Sequence, residues 1–413
     1  MAVTINASTS AGLVQTADTS GVLALQTAGT TAVSISSGQV VTLTNALAEA
    51  SGGTGTTVGY NGFKNRIING AMVIDQRNAG ASLTPTNGAY SLDRWQLNLA
   101  QASKFTVQQS STVPTGFGNS LKITSSSAYS VVSTDYFALL QCIEAQNITD
   151  FSFGTANAKT VTLSFWVYSS LTGTFGGSAR NYNADRSYPF SYSISSANTW
   201  EQKTVTFTGD TTGTWNTTGN SGGLFIIFSL GAGSTLSGTV NAWQAGNYIQ
   251  PTGATSVVGT NGATLFITGV QLEKGSTATS FDYRPITTEL ALCQRYFEMT
   301  FPQGTAPVNG YTADLVQQGL GFWTSFSNTG MRSPIISFKV TKRAAPSITI
   351  YSSGNSSSGT FGFYNGTLAT WTSISTNNVY AQDWGVGFNS VAASGATGTS
   401  YLMAGAWTAS SEL

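Results

Sequence analysis

Thr160-Val161-Thr162-Leu163-Ser164-Phe165-Trp166-Val167-Tyr168 puts an apolar residue at every second position from Val161 to Val167. Successive side chains of an extended chain point to opposite faces, so Val161, Leu163, Phe165 and Val167 share one face of a strand. A helix would scatter the same residues around its axis. Lys203-Thr204-Val205-Thr206-Phe207-Thr208 repeats the alternation. Leu224-Phe225-Ile226-Ile227-Phe228 is continuously apolar, as expected of a strand covered on both faces. Thr264 to Leu272 reads as a closing strand, with Gly269 a candidate bulge. Many antiparallel strands of this length predict an all-β chain built around a two-sheet jelly roll.

The composition agrees. Of 413 residues, 8% are charged, 40% hydrophobic and 11% aromatic, whereas an ordinary soluble domain carries about 25% charged residues. Ser, Thr, Asn, Gln and Gly must therefore solvate the surface. That suits turn-rich β structure better than helical bundles, whose outer faces rely on Glu, Lys and Arg. The 17 acidic and 17 basic residues cancel, and Lys342-Arg343 is an isolated basic pair. No basic stripe exists to neutralise phosphates, so no nucleic-acid partner is expected. No stretch approaches the roughly 18 apolar residues of a membrane span, so no membrane insertion is expected. The first residues lack a basic and then apolar leader, which predicts synthesis in a cytoplasm without export. Cys142 and Cys293 lie far apart and read as two buried, reduced thiols.

Four segments follow. Residues 1–61 have no Lys or Arg, and their residues alternate: Val22, Ala24 and Gln26 interleave with Leu23, Leu25 and Thr27, and Val33, Ile35, Val40, Val41 and Leu43 follow. Such strands are too thin to bury a core alone, and three copies wound together could bury one. The segment therefore reads as an attachment or shaft piece of a homotrimer, ending in a flexible joint at Ser51-Gly52-Gly53-Thr54-Gly55-Thr56-Thr57. Residues 62–285 form the jelly roll. Residues 286–297 form a linker helix, with a Thr cap candidate, Glu289 in the first turn, and Leu290, Cys293 and Phe297 on one face. Residues 298–413 return to strand-like runs and read as a distal β-sandwich domain.

Within this frame, Lys64-Asn65-Arg66-Ile67-Ile68-Asn69-Gly70-Ala71-Met72-Val73-Ile74-Asp75-Gln76-Arg77 resembles the opening of a domain common in phage and prophage tail proteins. Ser91-Leu92-Asp93-Arg94-Trp95 is similar to that family's next motif. Thr268–Gly275, Ala278–Pro285 and the Thr288–Phe297 helix are similar to its ending, in the same order. The resemblance covers about residues 64–297. It implies a jelly roll related to carbohydrate-binding modules, carried on a tail fibre or similar virion appendage and made in the host cytoplasm. One departure stands out: Asp75 occupies a position where the family usually has an aromatic residue. The resemblance carries no ligand site onto particular residues.

The residues themselves bound the chemistry. There is no His, which removes Ser-His-Asp and Cys-His arrangements and the usual zinc sets. No Walker-type loop or calcium loop is present, so no cofactor or metal is expected. Glycan cleavage would need two carboxylates flanking a sugar, and no pair is marked among Asp93, Asp135, Glu144, Asp150, Asp185 and Asp210. Asp93 and Arg94 read as a structural ion pair beside Trp95, and Trp95, Trp166 and Trp200 as core. Sugar binding needs exposed rings beside planar polar side chains. The densest such stretch is Arg180–Tyr188, giving Tyr182, Asn183, Asp185, Arg186 and Tyr188 as candidates; Trp215 and Trp243 are two more. The expectation is a non-enzymatic, trimeric tail fibre subunit. It would hold other virion proteins through its first segment and host surface polysaccharide through its later domains. A capsid head fibre or decoration protein, and a glycan depolymerase, are the alternatives.

Overall fold

The computed structural model describes residues 22–27, 30–38, 41–43, 63–311, 319–327, 330–352, 357–365, 370–374, 376–391 and 400–413. The joint expected at Ser51–Thr57 lies outside the described residues. The chain divides into two compact units, Met1–Gly62 and Phe63–Leu413.

The first unit holds an antiparallel meander of β1 (Leu23–Thr27), β2 (Thr30–Ile35) and β3 (Val41–Leu43). Its register pairs Leu23 with Ile35 and Ile35 with Val41, and pairs Leu25 with Val33 and Val33 with Leu43. Directly opposed residues share a face, so these six apolar side chains form two rows on one side of the sheet.

The second unit begins with β4 (Ala89–Tyr90), β5 (Gln96–Leu99), β6 (Phe105–Ser110), β7 (Ser120–Ser125), β8 (Tyr136–Glu144), β9 (Val161–Ser169), β10 (Gly173–Asn181) and β11 (Arg186–Ile194). It continues through β12 (Glu201–Phe207), β13 (Gly222–Ala232), β14 (Ser237–Gly238), β15 (Gln244–Ala245), β16 (Gln250–Pro251) and β17 (Thr264–Lys274). A seven-stranded sheet, in order β15-β11-β10-β13-β8-β5-β4, faces a five-stranded sheet, β12-β9-β17-β7-β6. The predicted all-β sandwich is present. Val161, Leu163, Phe165 and Val167 all point into its core. Phe165 of one sheet meets Phe228 of the other edge-on, with ring centroids 5.0 Å apart. β13 is buried along almost its whole length, as its continuous apolar run predicts. The bulge falls where expected: the β17–β9 register slips between Thr268 and Gln271, and Gly269 has φ 61°.

Three readings change. Trp95 is fully buried, but Trp166 and Trp200 are half-buried. Trp166 alternates with core-facing Phe165 and Val167 and so lies on the outer side of the five-stranded sheet. Trp200 packs there against Tyr168 and Phe266. Asp93 and Arg94 do not pair with each other. Asp93 accepts hydrogen bonds from Gln76, and Arg94 pairs with Glu412. The helix α1 (Ile286–Gln294) has Pro285, not a threonine, at its N-cap, and the Pro285 carbonyl accepts the Thr288 and Glu289 N–H groups. Glu289 does occupy the first turn and Cys293 is buried, while Phe297 already belongs to the next strand.

The opening motif is an irregular run fastened by amide side chains. Asn65 accepts from the Ile67 and Leu272 N–H groups and donates to the Val270 carbonyl. Asn69 accepts from Ile74 N–H and donates to the Ile74 and Asp93 carbonyls. Gly70 is required here, because a Cβ would sit 2.1 Å from the Val270 oxygen. Asp75 replaces the expected aromatic with a turn cap, accepting from the N–H groups of Arg77, Asn78 and Gly80.

After α1 come β18 (Phe297–Met299), β19 (Gly319–Ser327), β20 (Gly330–Arg332), β21 (Ile336–Ser337), β22 (Ser347–Tyr351) and β23 (Phe361–Asn365). The last strands are β24 (Thr370–Ile374), β25 (Thr376–Ala381), β26 (Gly385–Val391), β27 (Ser400–Ala404) and β28 (Ala406–Ser410). They form a small β18-β28-β22 sheet and an eight-stranded sheet. Residues of both sheets share one core around Trp323, Phe361, Phe388, Met403 and Trp407. No helix among the described residues is long and apolar enough to cross a membrane.

Candidate functional site

Alternation along the seven-stranded sheet sends Phe137, Leu139, Ile226, Phe228 and Ala179 into the core. The intervening residues must therefore face outward. These are Asn98 on β5, Tyr136, Ala138 and Leu140 on β8, Ile227 on β13, and Ser178 and Arg180 on β10. At one end of this outer face the chain closes back on itself. Leu413 packs against the cluster containing Leu140, Cys142 and Phe225. Arg295 holds Glu144 through two hydrogen bonds of 2.9 and 2.6 Å, and Tyr296 adds a third at 2.7 Å.

The rest of the face stays open as a groove of about 430 Å³. Ala138, Leu140, Ile227 and Ile249 floor it, and Asn98, Tyr136, Arg180 and Asn247 supply its polar and aromatic groups. Arg180 donates to the Asn247 side-chain oxygen at 2.5 Å and lies over the Phe225 ring at 4.8 Å. Its Nε is buried and has no hydrogen-bond partner among the described residues. No carboxylate pairs with Arg180 among them either. Burial lowers its pKa. The guanidinium as a whole is half-buried, so its terminal N–H groups remain the donors that a ligand in the groove would meet.

Tyr182 extends the site just past the end of β10. It is two residues beyond Arg180, is 41% exposed, and stacks nearly parallel on Phe225 with centroids 5.9 Å apart and 7° between planes. Gly222 makes this possible: a Cβ there would fall 2.0 Å from the Tyr182 ring. Asn183 and Asp185 stand exposed on the following turn, which Asn181 fastens by accepting from the Asp185 and Arg186 N–H groups.

The other candidates gather elsewhere. Arg186 grips Asp210 with two 2.7 Å bonds, and the Trp215 indole donates to the same carboxylate at 3.3 Å. Burial works against the Asp210 charge, but the Arg186 and Thr212 hydrogen bonds outweigh it and hold its pKa below the usual carboxylate range. Tyr188 and Trp215 are buried, and Trp243 is half-buried over them, with Tyr188 5.3 Å and Trp215 5.4 Å from Trp243 by ring centroids. Trp243 donates to the Thr208 carbonyl at 2.7 Å. This is an aromatic plug sealing one end of the sandwich. Its rings are spent on packing, so Tyr188 and Trp215 offer no open face.

Sequence reading thus reaches Tyr182 but misses Asn98, Tyr136 and Asn247. The signal that could have linked Arg180 to Tyr182 is their spacing of two, with Arg180 near the end of β10 and Tyr182 one residue past it. Cys142 and Cys293 are both buried free thiols whose pKa values burial raises, that of Cys142 to about 12. Among the described residues no cluster of three or more Asp, Glu, Cys or His could hold a metal.

No protein-family model matches the chain. No curated protein matches it. Among solved structures it is similar to a putative sugar binding protein from Bacteroides thetaiotaomicron, at 13% identity over 51% of this chain and 100% of that one, with a TM-score of 0.31. It is also similar to a family 11 carbohydrate-binding module from a Clostridium thermocellum cellulase, at 10% identity over 48% and 98%, with a TM-score of 0.25. A third is the enzymatically active domain of tailspike protein 4 of bacteriophage CBA120, at 14% identity and a TM-score of 0.27; 52% of this chain matches only 22% of that domain. With scores this low, nothing about ligand or chemistry passes from these proteins to this chain.

Proposed function

We propose that this chain is a non-catalytic adhesive subunit of a phage tail fibre, gripping host surface glycans in the outer-face groove. The observation that carries the reading is Arg180. Its half-buried guanidinium, with no carboxylate partner among the described residues, lines a groove that pairs an apolar floor with Tyr136, Asn98 and Asn247. A sugar presents an apolar ring face and a rim of neutral hydroxyls, which matches that combination. The ordered tail-protein motifs between Lys64 and Phe297 support the virion setting.

The first unit supports assembly as a homotrimer. Leu23, Leu25, Val41 and Leu43 are exposed on its apolar face, between 38% and 60%. Three strands at about 4.8 Å spacing make a sheet about 14 Å wide. Three such sheets closed as a prism would lie about 4 Å from the axis, near half the ~10 Å at which sheets pack. Closure would also set the β1 edge of one copy against the β3 edge of the next, leaving no open edge. Each grip would be weak, and three copies would add avidity.

The test is to pass the full chain over an array of bacterial surface polysaccharides and assay bound glycans for new reducing ends. Retention without new ends is expected. Retention with steady release of reducing ends would make the protein a depolymerase, and no retention would remove the adhesive reading.

A further inference from the structure

We infer that the eight-stranded sheet carries a second, independent saccharide site, in the groove between β25 and β20 centred on Gly387; the inference rests on the adhesive reading. The groove holds about 420 Å³. Val386 and Phe388 of β26 are buried in the distal core, with Phe388 stacked on Trp323. Gly385, Gly387 and Asn389 alternate with them and so lie on the outer side. Tyr380 pairs with Gly387 across the β25–β26 ladder, and Arg332 pairs with Asn389 on β20. The groove floor is therefore bare backbone, with a ring on one side and a guanidinium and an amide at its end.

Gly387 needs explanation. Its φ is not in the left-handed region, and an added Cβ would meet nothing within 4 Å. Neither backbone geometry nor packing demands glycine, and glycine weakens a strand interior. What its missing side chain does is keep the floor open for close approach.

The walls are built to hold a shape. Trp384 is 50% exposed and Tyr380 56% exposed, and neither side chain makes a hydrogen bond or ring contact among the described residues. Yet the turn carrying Trp384 is pinned. The Trp384 carbonyl accepts from Phe338 N–H at 3.0 Å and the Asp383 carbonyl from Lys342 N–H at 2.7 Å, while Gln382 N–H donates to Gly385 at 2.9 Å. Across the groove the Ser333 N–H donates to the Phe388 carbonyl at 3.0 Å and the Ser333 hydroxyl accepts from the Phe388 N–H at 2.8 Å. With the backbone fixed, only the two χ angles of each ring are left to be ordered when a ligand stacks on it. Gln382, Asn389 and Arg332 are the planar polar partners of the lining, and it includes no carboxylate. Neutral hydroxyls fit such a lining, and a cationic partner finds no counter-charge in it.

The experiment compares wild type, Gly387→Val, Trp384→Ala and Arg180→Ala on one array of bacterial surface polysaccharides. Light scattering gives the mass of each variant. Valine suits a strand and fills the groove without touching the core. The expected result is at least one glycan retained by wild type and Arg180→Ala but lost, tenfold or more, by Gly387→Val and Trp384→Ala. An unchanged binding pattern in both distal variants overturns the second site while leaving the first standing. A changed mass in Gly387→Val makes this surface a subunit contact instead and also overturns it. Should Gly387→Val fail to fold, Trp384→Ala alone decides between the same outcomes. No binding by wild type ends both sites together.

Discussion

Arg94 and Glu412, 318 positions apart, form an ion pair in which the side chains keep 1% and 7% of their exposure. Arg77 reaches the same carboxylate at 2.7 Å, and Arg94 also lies 3.6 Å over the Tyr296 ring and donates to the Cys142 carbonyl at 2.5 Å. Through Arg77 and Arg94 the last residues are tied to the motif that opens the second unit and to the motif after it, closing one end of the outer face and leaving the groove at the other.

Removing one partner of a buried pair strands the other charge, which costs about 3–5 kcal/mol. Glu412→Ala should lower unfolding free energy by that amount in urea titrations of the full chain. Glu412→Gln should cost less, because the amide oxygen can still accept from Arg94. A loss below about 1 kcal/mol would mean that the pair does not fasten this corner.

Asp93 is fully buried, and desolvation raises its pKa to about 6 against the partial opposition of Arg77 and the Gln76 hydrogen bonds. Its folded pKa therefore lies above its unfolded value, so the folded state binds the extra proton. From pH 4 to pH 6 this group should make stability fall as pH rises, with a slope approaching about 1.4 kcal/mol per pH unit. Asp93→Asn should remove that slope. Equal slopes for the two proteins would show that Asp93 ionises as an exposed carboxylate does.

Val33, on the central strand β2, sits between Leu25 and Leu43 in one of the two rows of the first unit's apolar face. Val33→Asp puts a charge where three copies would meet. Light scattering should give a trimer for wild type and a monomer for the variant, with the near-ultraviolet dichroism of the second unit unchanged. A monomeric wild type, or a trimeric variant, would contradict assembly through this face.

How much of this was legible depended on whether the signal was local. Val161 to Val167 and Leu224 to Phe228 declare their faces because strand periodicity is a property of neighbours. Gly269 was readable as a bulge for the same reason. The groove was not, because Asn98, Tyr136 and Arg180 are brought together by pairing of β5, β8, β13 and β10, Asn247 joins them from the segment between β15 and β16, and no short stretch records that order. Trp215 and Trp243 look like sugar platforms in sequence because aromatic density is the same for a platform and a plug. Only the Arg186–Asp210 clamp and the covering rings decide for packing. Asn69-Gly70 reads as a motif, but its physical content is a side chain holding three backbone groups and a backbone approach that tolerates no Cβ.

The most direct measurement is calorimetry of wild type and Arg180→Ala with one array-selected oligosaccharide that the distal variants still bind. Losing hydrogen bonds from a charged donor costs about 1.5–3 kcal/mol, so affinity should fall roughly ten- to hundredfold. Equal affinities for the two proteins would contradict the assignment of the outer-face groove as the glycan site.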